Sequence, residues 1–189
     1  MALQLETDEA LAGQVKRADH SALAELIKRY QQKLYHYVTR LIGNADEAED
    51  VVQETFLRVY KNIQSFDEEK KFSSWIYRIA HNTAINAIKK RQRLQSVEAL
   101  TLDWLQENQE EAEDFIATEE RRALSENMII LMDDLRAEYR EALVLYYFEE
   151  KSYQEISEIM HIPEATVGVW LRRAKITLKE RIEKYERKQ

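Results

Sequence analysis

The chain has 189 residues, with three glycines, one proline, no cysteine and a formal net charge of −7 at neutral pH. So few turn-formers leave a sheet protein without its turns and favour an all-α fold of helices with short connections. Without cysteine there is neither a disulfide framework nor a thiolate metal site, and the net acidity argues against simple, avid binding to duplex nucleic acid.

The N-terminus lacks the basic and apolar regions of a secretory signal, and the longest apolar run, Ala142 to Phe148, is too short to cross a bilayer. The expected location is cytoplasmic, with no membrane insertion. A first helix is predicted after Thr7 and a second after Asp19. Along the second, Leu23, Leu26, Ile27, Tyr30, Leu34, Tyr37, Val38 and Leu41 recur at helical offsets and form one core-facing stripe. Gly43 and Asn44 supply left-handed positions that end it. A third helix opens in Asp46, Glu47, Glu49 and Asp50, whose charges complement the positive end of the helix dipole. Val52, Phe56, Val59, Tyr60 and Ile63 make its expected buried stripe, with Glu47, Asp50, Glu54, Arg58 and Lys61 opposite. These acids either cap and solubilise the helix or offer a docking face to a basic partner.

After a short loop, Gln64 to Asp67, the stretch Lys70 to Arg93 carries seven Lys or Arg residues and no acid. Phosphate contacts from such a block release condensed counterions, and Phe72, Trp75 and Tyr77 offer flat faces for stacking unpaired bases. The alternative is an amphipathic core helix whose outer face is merely basic. Ile76, Ile79, Ala80, Thr83, Ala87 and Ile88 are its inward positions, which leaves Arg78, His81, Asn82 and Lys89 facing out. Asn82 and Asn86 both donate and accept, so they suit base edges as well as phosphates.

From Glu98 to Glu120 there are nine acids and no base, with little helical period, which reads as a linker. Trp104, Leu105, Phe115 and Ile116 within it argue against full disorder. Two further helical patterns follow, one with Leu124, Met128, Leu131 and Leu135, and one with Tyr139, Leu143, Tyr146 and Tyr147. Ser152 and Glu155 then form a capping box that opens a short helix, Tyr153 to Met160, and His161, Ile162 and Pro163 make a tight turn. The next helix runs from Glu164 through at least Lys179, burying Val167, Leu171, Ala174 and Leu178. Helix, three-residue turn, helix is the geometry that projects a second helix into a major groove. Its outward face carries Ala165, Gly168, Val169, Arg172 and Lys175, and eight Lys or Arg oppose three Glu between Arg172 and Lys188.

The segments DEAEDVVQETFLRVY (Asp46 to Tyr60), FSSWIYRIAHNTAINAIKKRQR (Phe72 to Arg93) and YREALVLYYFEEKSYQEISEIMHIPEATVGVWLRRAK (Tyr139 to Lys175) resemble, in order and spacing, the two domains of extracytoplasmic-function sigma factors. These are the smallest bacterial transcription initiation sigma subunits, and the resemblance covers nearly the whole chain. It implies an N-terminal helical domain over 1–94, an acidic linker over 95–121 and a C-terminal helix-turn-helix domain over 122–189. Asp46, Glu49, Asp50, Gln53 and Glu54 fall where the family docks on the clamp helices of the largest subunit of core RNA polymerase. Phe66, Phe72, Ser73, Trp75, Arg78, Asn82, Lys89 and Lys90 fall where it melts the promoter and reads the minus-ten element as a single strand. Thr166, Val169, Arg172, Arg173 and Lys175 fall where it reads the minus-thirty-five element of promoter DNA as duplex. The linker would thread the polymerase RNA-exit and active-site channels.

The resemblance further implies a stress or envelope response, an anti-sigma factor that hides both DNA surfaces, and a monomer when unbound. No cofactor and no catalytic residue are expected. The chain departs from the family's common Gly-Thr-Val-Lys-Ser-Arg, carrying Ala165, Thr166, Val167, Gly168, Val169 and Trp170 instead. Two usual polar or basic contacts are therefore missing, so either the minus-thirty-five sequence is unusual or Arg172, Arg173 and Lys175 carry more of the anchoring. Asn86 likewise stands where an Asp is common. Trp170 either packs in the core or touches a thymine methyl.

Two rival readings are weighed against this one. A dimeric duplex-binding regulator explains Tyr153 to Lys175 but leaves the order of acidic and basic-aromatic segments unexplained. An enzyme would need a glycine-rich phosphate loop, a nucleophile motif or a histidine cluster, whereas His20, His36, His81 and His161 are scattered and share no metal-ligand spacing.

Overall fold

The computed structural model describes residues 6–98 and 135–186, and every regular element among them is helical. The chain divides into two compact units, each taken here by itself. The predicted linker residues Trp104, Leu105, Phe115 and Ile116, and the pattern of Leu124, Met128 and Leu131, lie outside the described residues.

In the N-terminal unit, α1 spans Asp8–Lys16 and is capped by the Thr7 hydroxyl, which accepts from the Ala10 amide. α2 spans His20–Ile42, with the Asp19 carboxylate accepting from the amides of Ser21 and Ala22. Those hydrogen bonds, from the Ser21 side chain first, hold the Asp19 carboxyl below its ordinary value. Gly43 ends α2 in the left-handed region at φ 72°, as the sequence suggests. Asn44 does not share that conformation. It is extended and caps α3, Ala45–Asn62, by accepting from the Glu47 amide at 2.9 Å.

A single 3-10 turn, Ile63–Ser65, and a loop lead to α4, Phe72–Glu98. Lys71, the residue before α4, has no side-chain acceptor to cap it. The Glu9 carboxylate of α1 does so instead, accepting from the Phe72 amide at 2.9 Å. Nearby, Asp8 accepts from Arg29 at 2.7 Å and from the Tyr30 hydroxyl. Burial, then that hydrogen bond, raises the Tyr30 phenol well above its ordinary value. Lys16 pairs with Glu68 at 3.1 Å, and the Gln64 amide donates to the Lys16 carbonyl. α1 thus clasps the loop that precedes α4. The four helices enclose Leu11, Leu26, Leu34, Tyr37, Val38, Val52, Ile76 and Tyr77.

In the C-terminal unit, α5 spans Ala137–Leu143 and widens into a π turn, Val144–Phe148, closed by the Glu149 amide on the Val144 carbonyl at 3.1 Å. The capping box forms as predicted: the Glu155 amide donates to the Ser152 hydroxyl while the Glu155 carboxylate accepts from the Ser152 amide. It opens α6, Tyr153–Met160. His161 turns the chain at φ 54°, and Ser157 fixes the turn by donating to the Ile162 carbonyl at 2.6 Å. α7 then runs Glu164–Glu186 and packs on α5. Val167, Leu171, Ala174 and Leu178 are all buried, the stripe read from the sequence.

Candidate functional site

Three surfaces gather the residues singled out in the sequence. The first is on α3. Asp46, Glu49, Asp50 and Gln53 are exposed, and Glu54 is half-buried and paired with Arg58 at 2.7 Å. Glu47 is drawn the other way, toward Arg91 of α4 at 3.2 Å. The buried stripe differs from the expected one. Ala48, Val51, Val52, Thr55, Val59 and Ile63 face the core, whereas Phe56 is half-buried and Tyr60 is 47% exposed. The reason is Thr55: its hydroxyl satisfies itself on the Val51 carbonyl at 2.7 Å, so a polar residue takes an inner position. The buried face is thereby rotated away from Tyr60, and Leu57 beside it is 54% exposed. A groove between α2 and α3 follows, floored by Leu23, Ile27, Val52 and Phe56 and rimmed by Glu49 and Gln53. Tyr60 was expected in the core because an apolar side chain at a near-periodic position reads as buried, and Leu57 was assigned to neither face.

The second surface is on α4. Trp75, Arg78, Asn82 and Lys89 fall at offsets of three, seven and fourteen, which is one helical face. Asn82, Asn86, Lys89 and Lys90 are exposed, and Ser73, Trp75 and Arg78 are half-buried. The expectation of open aromatic faces fails at Phe72 and Tyr77, and Phe66, placed at the strand-reading site by the resemblance, is covered as well. Phe66, Phe72 and Tyr77 are buried. Phe66 and Phe72 meet edge-on at 5.4 Å, and both rings touch Trp75, at 5.1 and 5.7 Å. Tyr77 packs on Tyr37 at 5.2 Å. The loop returns Phe66 over the start of α4, so two rings support the third. Of that aromatic set, Trp75 alone retains accessible surface.

The third surface is on α7. Thr166 is half-buried, and Val169, Arg172, Arg173 and Lys175 are exposed. Two of these cations have tyrosine partners on α5 and its π turn. Arg173 donates to the Tyr139 hydroxyl at 3.2 Å. The Lys175 ammonium lies 5.4 Å from the Tyr147 ring centre and 5.8 Å from that of Tyr146. Its hydrogen bond to the Tyr147 hydroxyl, more than any other influence, raises its pKa. Trp170 is half-buried against the Tyr139 ring at 6.2 Å, which fits the packing alternative. An added Cβ at Gly168 would sit 3.6 Å from the Tyr153 ring, an ordinary contact, so that side of α7 faces α6. The tyrosine partners were not found from the sequence, since nothing in a run of apolar residues says which hydroxyl meets a cation.

Among the described residues there is no grouping of His, Asp or Glu that would hold a metal ion, and no helix long and apolar enough to cross a membrane.

Two family profiles match separate stretches of the chain. A family profile described as Sigma-70 region 2 matches residues 26–94, and one described as Sigma-70, region 4 matches residues 127–178. The chain is 36% identical over 177 residues to the ECF RNA polymerase sigma factor SigW of Bacillus subtilis, covering 89% of this chain and 93% of that relative. It is 34% identical over 195 residues to the ECF RNA polymerase sigma-E factor of Haemophilus influenzae, covering 97% and 98%. Among solved structures, CnrH in complex with the cytosolic domain of CnrY aligns with a TM-score of 0.71 at 19% identity, over 94% of this chain and 98% of that one. The sigma factor RpoE in complex with the anti-sigma factor NepR from Bartonella quintana aligns with the same score and identity, over 85% and 96%. These two share the all-helical fold.

Proposed function

The chain belongs to the extracytoplasmic-function sigma factors of bacterial RNA polymerase, and on that premise we propose how its three surfaces divide the work of promoter-specific initiation. The α3 face with Asp46, Glu49, Asp50, Gln53 and Glu54 docks on a basic surface of core polymerase, the clamp helices of its largest subunit. Leu57 and Tyr60 extend that face with apolar area of the kind that supplies most docking energy. Trp75, Arg78, Asn82, Lys89 and Lys90 engage the opened minus-ten strand, with Ser73 at the rim and Phe66 and Phe72 acting beneath, as supports for Trp75. Thr166, Val169, Arg172, Arg173 and Lys175 engage the minus-thirty-five duplex. RNA synthesis itself is catalysed by the polymerase, and the sigma subunit positions the template.

The observation that carries this reading is the pairing, within one unit, of an acidic face edged by exposed Leu57 and Tyr60 with a separate stripe of donors around one accessible indole. A simple duplex-binding regulator needs neither. The net charge of −7 opposes DNA binding by the unbound chain, and docking raises the local concentration of both DNA surfaces at the promoter. Restraint by an anti-sigma factor is part of the proposal, supported by the fold shared with the sigma factor of the NepR complex. A monomeric, cytoplasmic chain before docking fits the same scheme, as does stress-linked release.

Run-off transcription with bacterial core polymerase tests it. Specific transcripts should appear only with the chain present, fall with Asp50→Ala through weaker docking, and fall with Trp75→Ala through failed opening at normal docking. No stimulation, together with dimeric duplex binding by the chain alone, would replace the reading with that of an ordinary helix-turn-helix regulator.

A further inference from the structure

We infer that Val169 reads a thymine 5-methyl group in the minus-thirty-five element, so that this subunit requires an A·T pair at one defined position through an apolar contact. The inference rests on the duplex-reading role of α7 proposed above.

A helix entering the major groove reads bases with the outward residues of its first two turns. In α7 those turns run from Glu164 to Leu171, and they open with the exposed Glu164 carboxylate. Val167 and Leu171 are buried in the core, and the Gly168 side faces the Tyr153 ring. Trp170 lies against Tyr139. Thr166 is half-buried near the turn, its amide donating to the Pro163 carbonyl at 2.8 Å. Past Glu164, the exposed strip is Ala165, Val169 and Arg172, spaced by four and three residues.

A methyl and an isopropyl group head that strip, and neither can donate or accept a hydrogen bond. Val169 is 46% exposed, so its isopropyl group is accessible to a base edge in the groove. In the major groove the one apolar feature that differs between base pairs is the thymine methyl. Arg172 is the outward cation one turn further along. Arg173 and Lys175 are held toward Tyr139 and Tyr147, at the flank of the helix, which suits phosphates rather than base edges. Beside the Glu164 carboxylate and the half-buried Thr166 hydroxyl, Val169 is thus the side chain of the first two turns whose chemistry matches a thymine methyl.

The test uses holoenzyme made from core polymerase and the full chain, transcribing a library randomised over both promoter elements. The enriched minus-thirty-five element should contain a thymine at one position whose enrichment disappears with Val169→Ser while the other positions keep theirs. On one enriched promoter, replacing that thymine by deoxyuridine removes only the methyl group. Transcript yield at limiting holoenzyme should then fall about threefold to fourfold with wild type, the worth of one buried methyl, and should not change with Val169→Ser. Equal yields from thymine and uracil promoters with the wild-type chain would overturn the inference, as would a thymine preference that survives Val169→Ser. The uracil comparison needs no variant, so it holds whether or not the substitution perturbs folding. If no element is enriched at all, the initiation-factor reading fails and takes this inference with it.

Discussion

The α4 and α7 surfaces are both basic and aromatic, yet they are built in opposite ways. On α4 the rings of Phe66 and Phe72 are buried to hold Trp75 half-open, while Asn82, Lys89 and Lys90 face outward. On α7 the tyrosines of α5 and its π turn engage the cations, and apolar Val169 is left outward. The first arrangement suits a strand whose bases must be stacked after unpairing, because it fixes an indole and offers donors around it. The second suits an intact duplex, where cations grip phosphates and side-chain shape meets the groove. Composition alone would give the two helices one role.

The contrast is easiest to break at Phe72. Replacing this wholly buried ring by Ala should cost about 3–5 kcal/mol of stability in the N-terminal unit, read by denaturant unfolding. It should also lower transcription, since Trp75 loses a support. Trp75→Ala separates the two effects: transcription should fall roughly tenfold, for one lost stacking contact, with a much smaller loss of stability than Phe72→Ala causes. An equal loss of stability in both would mean that Trp75 is itself core and that the α4 surface has no stacking ring.

Glu9→Ala removes the acceptor for the first amide of α4 and should cost about 1 kcal/mol, seen as faster amide exchange at Phe72. On the other side of the comparison, Gly168→Ala should stabilise the C-terminal unit by about 0.5–1 kcal/mol, because its Cβ would meet only ordinary contact with Tyr153. Destabilisation there would show that this side of α7 has no room. The smallest effect is expected from Tyr147→Phe, which keeps the ring beside Lys175 and removes the hydroxyl. Promoter binding by holoenzyme should weaken by about twofold at moderate salt, with thermal stability nearly unchanged, as one modest hydrogen bond would give.

Much of the fold can be read locally. Thr7, Asp19 and Ser152 each cap the helix that follows, and Glu155 completes the last of these caps. Val167, Leu171, Ala174 and Leu178 are spaced so regularly that their burial needs no tertiary information. What could not be read depended on chain returning from far away. Phe72 and Trp75 lie three residues apart on one face, and nothing in their spacing says that Phe66 will cover one and leave the other accessible. Tyr60 and Leu57 are exposed because Thr55, a polar residue able to satisfy itself within the helix, holds an inner position that a hydrophobic pattern would not assign to it. The tyrosine partners of Arg173 and Lys175 required α5 and α7 to be placed together first.

The carboxylate of Glu9 on the amide of Phe72 joins residues 63 positions apart. During synthesis, α1 leaves the ribosome long before the helix whose start it completes, and closing so long a loop is slow compared with forming a helical turn. The end of α4 that carries Trp75 is therefore completed by the first helix of its unit, and its cap exists only once α1 and α4 have both emerged and met.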